Sequence, residues 1–132
     1  MSPGFRVFYL GVLAITACTP PPLPCARLGG APMLEYQLFF GRTSVTDKDW
    51  TEFTAQVVTP HLPDGFTAYD TDGQWMNPAT LRISKERTKV IVVALPDTPD
   101  GNAAIAAIKD AYRTQFHQLS VGTTVHPVCG AF

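Results

Sequence analysis

Along Met33-Leu34-Glu35-Tyr36-Gln37-Leu38-Phe39-Phe40-Gly41, apolar and polar residues alternate before the run turns wholly apolar. A period of two predicts a strand with one covered face, largely buried at its end. The period then changes: Trp50, Phe53 and Val57 fall at i, i+3 and i+7, the stripe of an amphipathic helix. Thr46 followed by Asp49 resembles a capping box, and Asp47 and Asp49 suit the positive end of the helix dipole. Pro60 disfavours helical geometry at Thr59, so the helix is expected to end there.

Phe66-Thr67-Ala68-Tyr69 begins a second strand, and Thr88 to Leu95, "TKVIVVAL", is the strongest strand signal in the chain. Thr98-Pro99-Asp100 supplies an N-cap, a proline at the first helical position and an acidic first turn. Ile105, Ile108, Tyr112 and Phe116 share one helical face, and Val121 to Val128 alternates as a last strand. The order β-α-β-β-α-β predicts an α+β fold of the ferredoxin-like kind, one antiparallel four-stranded sheet with two helices on one face. In that fold the first and last strands lie side by side.

The N-terminus reads differently. Arg6 precedes a short apolar run, Val7 to Ile15, of signal-peptide rather than membrane-spanning length. Ile15-Thr16-Ala17-Cys18 resembles a bacterial lipobox, which implies cleavage of residues 1–17 and a lipid anchor on Cys18. A plain secretory peptide with an unmodified Cys18 is the alternative. Four prolines between Pro20 and Pro24 then predict an extended tether over residues 18–33, leaving residues 34–132 as a single domain. These features place the domain on the extracytoplasmic side of a bacterial envelope, held to the membrane through Cys18.

Three cysteines become informative in that oxidising setting. If Cys18 carries lipid, Cys25 and Cys129 remain, one before the first strand and one ending the last. The predicted fold brings those two ends together, so a Cys25–Cys129 disulfide is expected, with two free thiols as the alternative. Closing a loop of roughly 100 residues stabilises by about 4–5 kcal/mol in the chain-entropy model. A net charge of −1 carries no electrostatic footprint for nucleic acid, which is not an expected partner.

The stretch Asp64 to Trp75, "DGFTAYDTDGQW", raises the question of a metal or catalytic loop. Asp70-x-Asp72-Gly73 is only a fragment of a calcium loop, with no closing Glu before Glu86. A tight hairpin at Asp72-Gly73 would place Pro78 inside the returning strand. A turn at Asn77-Pro78-Ala79-Thr80 is favoured, setting Asp72 opposite Lys85 and Asp70 opposite Arg87, with Gly73 as a bulge or kink.

Several segments occur together in order: Phe39-Phe40-Gly41-Arg42, Asp49-Trp50-Thr51-Glu52-Phe53, Pro63-Asp64-Gly65-Phe66-Thr67, Gly73-Gln74-Trp75 and Glu86-Arg87-Thr88-Lys89-Val90. Tyr112-x-x-x-Phe116-x-Gln118-x-Ser120-Val121 and a terminal Val128-Cys129-x-x-Phe132 follow them. Together they resemble the bacterial family catalogued as domain of unknown function 3574, over residues 34–132. Leu62 stands where that pattern has an aromatic. The resemblance implies an exported small domain and carries no established activity.

His61, His117 and His126 lack metal-ligand spacing, no catalytic motif is present, and neither metal nor cofactor is expected. The residual candidate is a ligand site of Arg42, Trp75, Glu86 and Arg87 at one end of the sheet, suited to a small anionic or polar ligand. Two functions follow. The first is a non-enzymatic envelope lipoprotein that binds a small ligand or protein. Its open sheet face (Glu35, Gln37, Phe39, Thr124) would serve a homodimer or an envelope partner. The second is a small enzyme using the Arg42, Trp75 and Glu86 cluster. A buried Glu86 in a deep pocket would favour the enzyme, and a solvated one the binding module.

Overall fold

The structure is a computed structural model in which residues 25–132 are described; the lipobox, Cys18 and the proline cluster lie outside them. A 3-10 helix, Cys25–Leu28, leads into β1 (Ala31–Gly41), so the fold starts inside the segment read as a tether. Then come α1 (Asp47–Phe53), α2 (Thr59–His61), β2 (Thr67–Asn77), β3 (Arg82–Leu95), α3 (Pro99–Gln115) and β4 (Gly122–Gly130). The sheet order β2-β3-β1-β4, with every pairing antiparallel, is the ferredoxin-like arrangement.

Even-numbered side chains of β1 face the helices. Tyr36, Leu38 and Phe40 are buried there with Ile91 and Val93 of β3, and Trp50, Phe53, Ile105, Ile108 and Tyr112 close the layer from the helices. Phe40 and Tyr112 meet edge to face with ring centroids 4.8 Å apart, and Phe53 and Trp50 surround them. Such geometry stabilises beyond area burial by about 0.5–1.5 kcal/mol per pair. Leu62 is buried in the same core, so an aliphatic side chain fills that position.

The disulfide Cys25–Cys129 is formed, with the Cα atoms 5.1 Å apart. Pairing of Pro32 with Cys129 in the β1–β4 ladder brings the two ends of the domain together. Thr46 makes a full capping box with Asp49, as the sequence pattern predicts.

Three local expectations are corrected. The first helix does not stop at Thr59. A π-helical turn, Thr54–Val58, joins α1 to α2, and Thr59 N–H reaches back to the Thr54 carbonyl. That wider turn carries the chain through Pro60, which has no N–H to donate, to His61.

The hairpin register is shifted by two residues from the expected one. Asp70 pairs with Lys89 and Asp72 with Arg87, because the connection has four residues between Asn77 and Arg82. Asn77 Oδ1 accepts from the N–H groups of Ala79 and Thr80, and Leu81 closes the wider loop at φ 53°. An even shift leaves every side chain on its expected face.

Gly73 is not a bulge. It pairs with Glu86 in an unbroken ladder, and its φ lies outside the left-handed region.

Candidate functional site

Strand alternation decides which residues meet. Consecutive residues of a strand point to opposite faces, so Glu86 and Arg87 part company. Glu86 joins the open face with Gly73, Trp75, Ser84 and Thr88, while Arg87 joins the helix face with Asp72. Arg42, continuing the even-numbered side of β1, is buried on the helix face. The four residues expected to form one cluster are therefore two pairs separated by the sheet.

On the helix face, Arg42 Nη2 donates to Asp47 Oδ1 at 2.6 Å and to the Val45 carbonyl at 3.2 Å. Its Nη1 lies 3.6 Å from Asp70 Oδ1. Lys89 Nζ donates to the other Asp70 oxygen at 2.7 Å, and Arg87 Nη2 stands 3.6 Å from Asp47. The hydrogen bond from Arg42 holds the Asp47 carboxyl below its ordinary range, and that from Lys89 does the same for Asp70. This cluster ties the start of α1 to the β2–β3 edge, and each of its three cations faces a carboxylate of Asp47 or Asp70. Arg42 Nε and Nη1 have no hydrogen-bond partner among the described residues.

The open face is built differently. Thr43 Oγ1 donates to Glu86 Oε2 at 2.8 Å, drawing the carboxylate across the end of β1. A Cβ placed on Gly41 would come within 2.7 Å of that oxygen, so the carboxylate lies on bare backbone. At Gly73 a Cβ would meet Thr88 Oγ1 at 2.9 Å. Glycine at 41 and 73 thus leaves room for the Glu86 carboxylate and the Thr88 hydroxyl, which a side chain at either position would displace.

Trp75, two positions beyond Gly73, is 46% exposed beside this floor. On the opposite side, His117 adopts φ 53° after the last turn of α3, and Gln118-Leu119-Ser120 forms a wall. The result is a concavity of about 810 Å³, open to solvent, which Glu86 and Trp75 both line. Glu86 is partly buried and makes no ion pair among the described residues.

A second concavity of about 550 Å³ lies at the other end of the sheet, between Leu62, Pro63, Pro96 and Phe132. It includes His61, whose Nδ1 already lies 2.8 Å from the Val57 carbonyl. His126 is opposite Glu35 in the β1–β4 ladder. Among the described residues no group of three His, Cys, Asp or Glu is placed to hold a metal ion, and no helix is long and apolar enough to cross a membrane.

Gly41, Thr43, Thr88 and the Gln118–Ser120 wall were not singled out from sequence. Parity along β1 and β3 is the signal that finds Gly41 and Thr88 once their register is known, whereas Thr43 lies beyond the end of β1.

The fold is similar to that of a phage SAM lyase solved in complex with S-methyl-5'-thioadenosine. The TM-score is 0.55 at 14% identity, covering 74% of this chain and 90% of that one. An amidase of the hydantoinase/carbamoylase family from Burkholderia multivorans matches 74% of this chain and 27% of that one, at 13% identity and a TM-score of 0.30. Identities this low speak to fold alone, and the second likeness carries no argument. No curated protein matches the chain. The family described as "Protein of unknown function (DUF3574)" matches residues 35–132, nearly the whole described domain, and the chain belongs to it.

Proposed function

We propose that the protein is a lipid-anchored binding module of the bacterial envelope, with the open-face concavity as its small-ligand site. One observation carries the site: Glu86, steadied by Thr43, lies over the bare backbone of Gly41 in the same concavity as Trp75. An accessible carboxylate beside an exposed indole suits recognition. Among the described residues the partner of Glu86 is the Thr43 hydroxyl, and no second acid or base hydrogen-bonds to it. Loss of Arg42 to the other face removes the reason to expect an anionic ligand.

The envelope location rests on the apolar run after Arg6 and on Ile15-Thr16-Ala17-Cys18. Replacing Cys18 by Ser is expected to move the protein from the membrane to the soluble fraction, and unchanged fractionation would sink the anchor. A thermal-shift screen of small metabolites, run on wild type and Trp75→Ala beside native mass measurement, tests the site. A ligand that stabilises both equally would place binding elsewhere.

Self-association through the open face belongs to the same reading. Four strands spaced about 4.8 Å apart and some ten residues long present on the order of 700 Å². That is close to one partner's share of a standard interface, about 800 Å². A monomer at all concentrations in native mass measurement would remove it.

A second reading is a small enzyme. It draws on the fold shared with the phage SAM lyase, a warrant by analogy only. Incubation with S-adenosylmethionine, followed for release of S-methyl-5'-thioadenosine, tests it, and absence of turnover at high protein concentration would retire it.

A further inference from the structure

Resting on the binding-module reading, we infer that the open-face concavity takes a small organic cation bearing N–H donors, an ammonium or guanidinium group on a short frame. The charge balance points this way first. Among the described residues Glu86 is held by a hydroxyl and by no cation, and its Oε2 alone is engaged, which leaves Oε1 to accept. Two arginines of the neighbouring strand ends are turned away: Arg87 stands by Asp47 on the helix face, and Arg42 is buried behind the sheet. Asp72 and Lys85 also border the concavity, but they occupy alternate positions that project from the other face and carry opposite charges.

Shape and aromatic placement supply the second argument. A cation over an indole face is attracted by the ring quadrupole, and Trp75 presents a half-exposed indole on the same face as Glu86. Their strand positions are related diagonally, since Gly73 pairs with Glu86 and Trp75 with Ser84. The missing side chains at Gly41 and Gly73 let the Glu86 carboxylate and the Thr88 hydroxyl lie low on the sheet, so that the acceptors form the base of the concavity. Thr71, Ser84 and Thr88 add hydroxyl acceptors around the remaining N–H groups. A quaternary ammonium would use the indole but leave Oε1 without a donor.

The test uses the two tryptophans as reporters. Their indole N–H signals are followed by NMR while agmatine, phenethylammonium, 2-phenylethanol or phenylacetate is titrated into the whole mature domain. Trp50 is buried in the core and serves as the internal control. Both cations are expected to shift the Trp75 signal alone, and phenethylammonium to bind about tenfold tighter than its neutral counterpart 2-phenylethanol. Glu86→Gln is expected to erase that tenfold preference while leaving the weak binding of 2-phenylethanol in place. Equal binding of the cation and the alcohol, or preference for phenylacetate, would overturn the cation while leaving a site at Trp75. No Trp75 shift with any compound at about 10 mM, a concentration that detects millimolar affinity, would overturn the site and the inference together.

Discussion

The hydroxyl of Tyr112 donates to the carbonyl of Gly41 at 2.8 Å, linking α3 to the end of β1 across 71 sequence positions. The same Gly41 backbone carries the Glu86 carboxylate on the opposite side of the sheet. One residue therefore joins the aromatic core to the candidate site.

Tyr112→Phe is expected to cost about 1 kcal/mol, the net contribution of one buried hydrogen bond, read as a lower urea midpoint at neutral pH. Burial pushes the Tyr112 phenol up to about 12, from an ordinary value of 10.0. A raised value means that the folded state favours the protonated phenol. Its contribution is full below about pH 10 and is lost as pH rises toward about 12. The difference between wild type and Tyr112→Phe should narrow over that window, and a constant difference would contradict the linkage.

Gly41→Ala separates stability from binding. The added Cβ would meet the carboxylate of Glu86, a flexible end that can move, and Gly41 has no left-handed φ to protect. Alanine in a strand is favoured over glycine by roughly 0.5–1 kcal/mol, so the melting temperature should hold or rise slightly. Affinity for phenethylammonium should fall about tenfold, because the displaced carboxylate no longer faces the floor. Unchanged affinity would mean that the Glu86 position is immaterial.

Arg42→Leu and Glu86→Gln form a crossed pair. The first removes the donor to Val45 and Asp47 and is expected to cost about 1–3 kcal/mol of stability with ligand affinity intact. The second should spare the fold and lower affinity for phenethylammonium about tenfold. Asp47 and Asp70 have carboxyls held below the ordinary 3.8. Their contribution is present above that value and is lost as pH falls through the lowered range. Arg42→Leu should flatten the Asp47 part of this acid limb in urea midpoints taken at successive pH values, and an unchanged limb would contradict the pairing.

The Cys25–Cys129 bridge spans 104 positions. Its removal in Cys25→Ser/Cys129→Ser is expected to lower stability by about 2–5 kcal/mol, measured as the shift in denaturant midpoint against wild type. A shift under about 1 kcal/mol would show that β1–β4 pairing alone secures the two ends.

Much of the architecture was legible along the chain because it rests on local periodicity. Alternation in β1, the Trp50 and Phe53 stripe and the run from Thr88 to Leu95 each record a face that must be buried, and the Thr46 and Thr98 caps mark where helices start. The disulfide followed from the topology, since adjacent first and last strands leave Cys25 and Cys129 no distant alternative. The bend expected at Gly73 failed for a reason no local rule contains. Its missing Cβ accommodates Thr88 across the ladder, rather than permitting an unusual backbone angle.

The sequence by itself determined the order of elements, the α+β sandwich, the covered faces of β1 and β3 and the expectation that Cys25 and Cys129 meet, because burial period and chain connectivity suffice for these. Tertiary structure decided the rest. It chose a register two residues away, through the Asn77-capped loop, and carried the first helix past Pro60 on a π turn. It also parted Arg42 from Glu86, since a sheet has two faces and proximity at a strand end does not say which one a side chain uses. What joined Glu86 to Trp75 was the pairing of β2 with β3, a long-range contact whose register is set by loop geometry and packing.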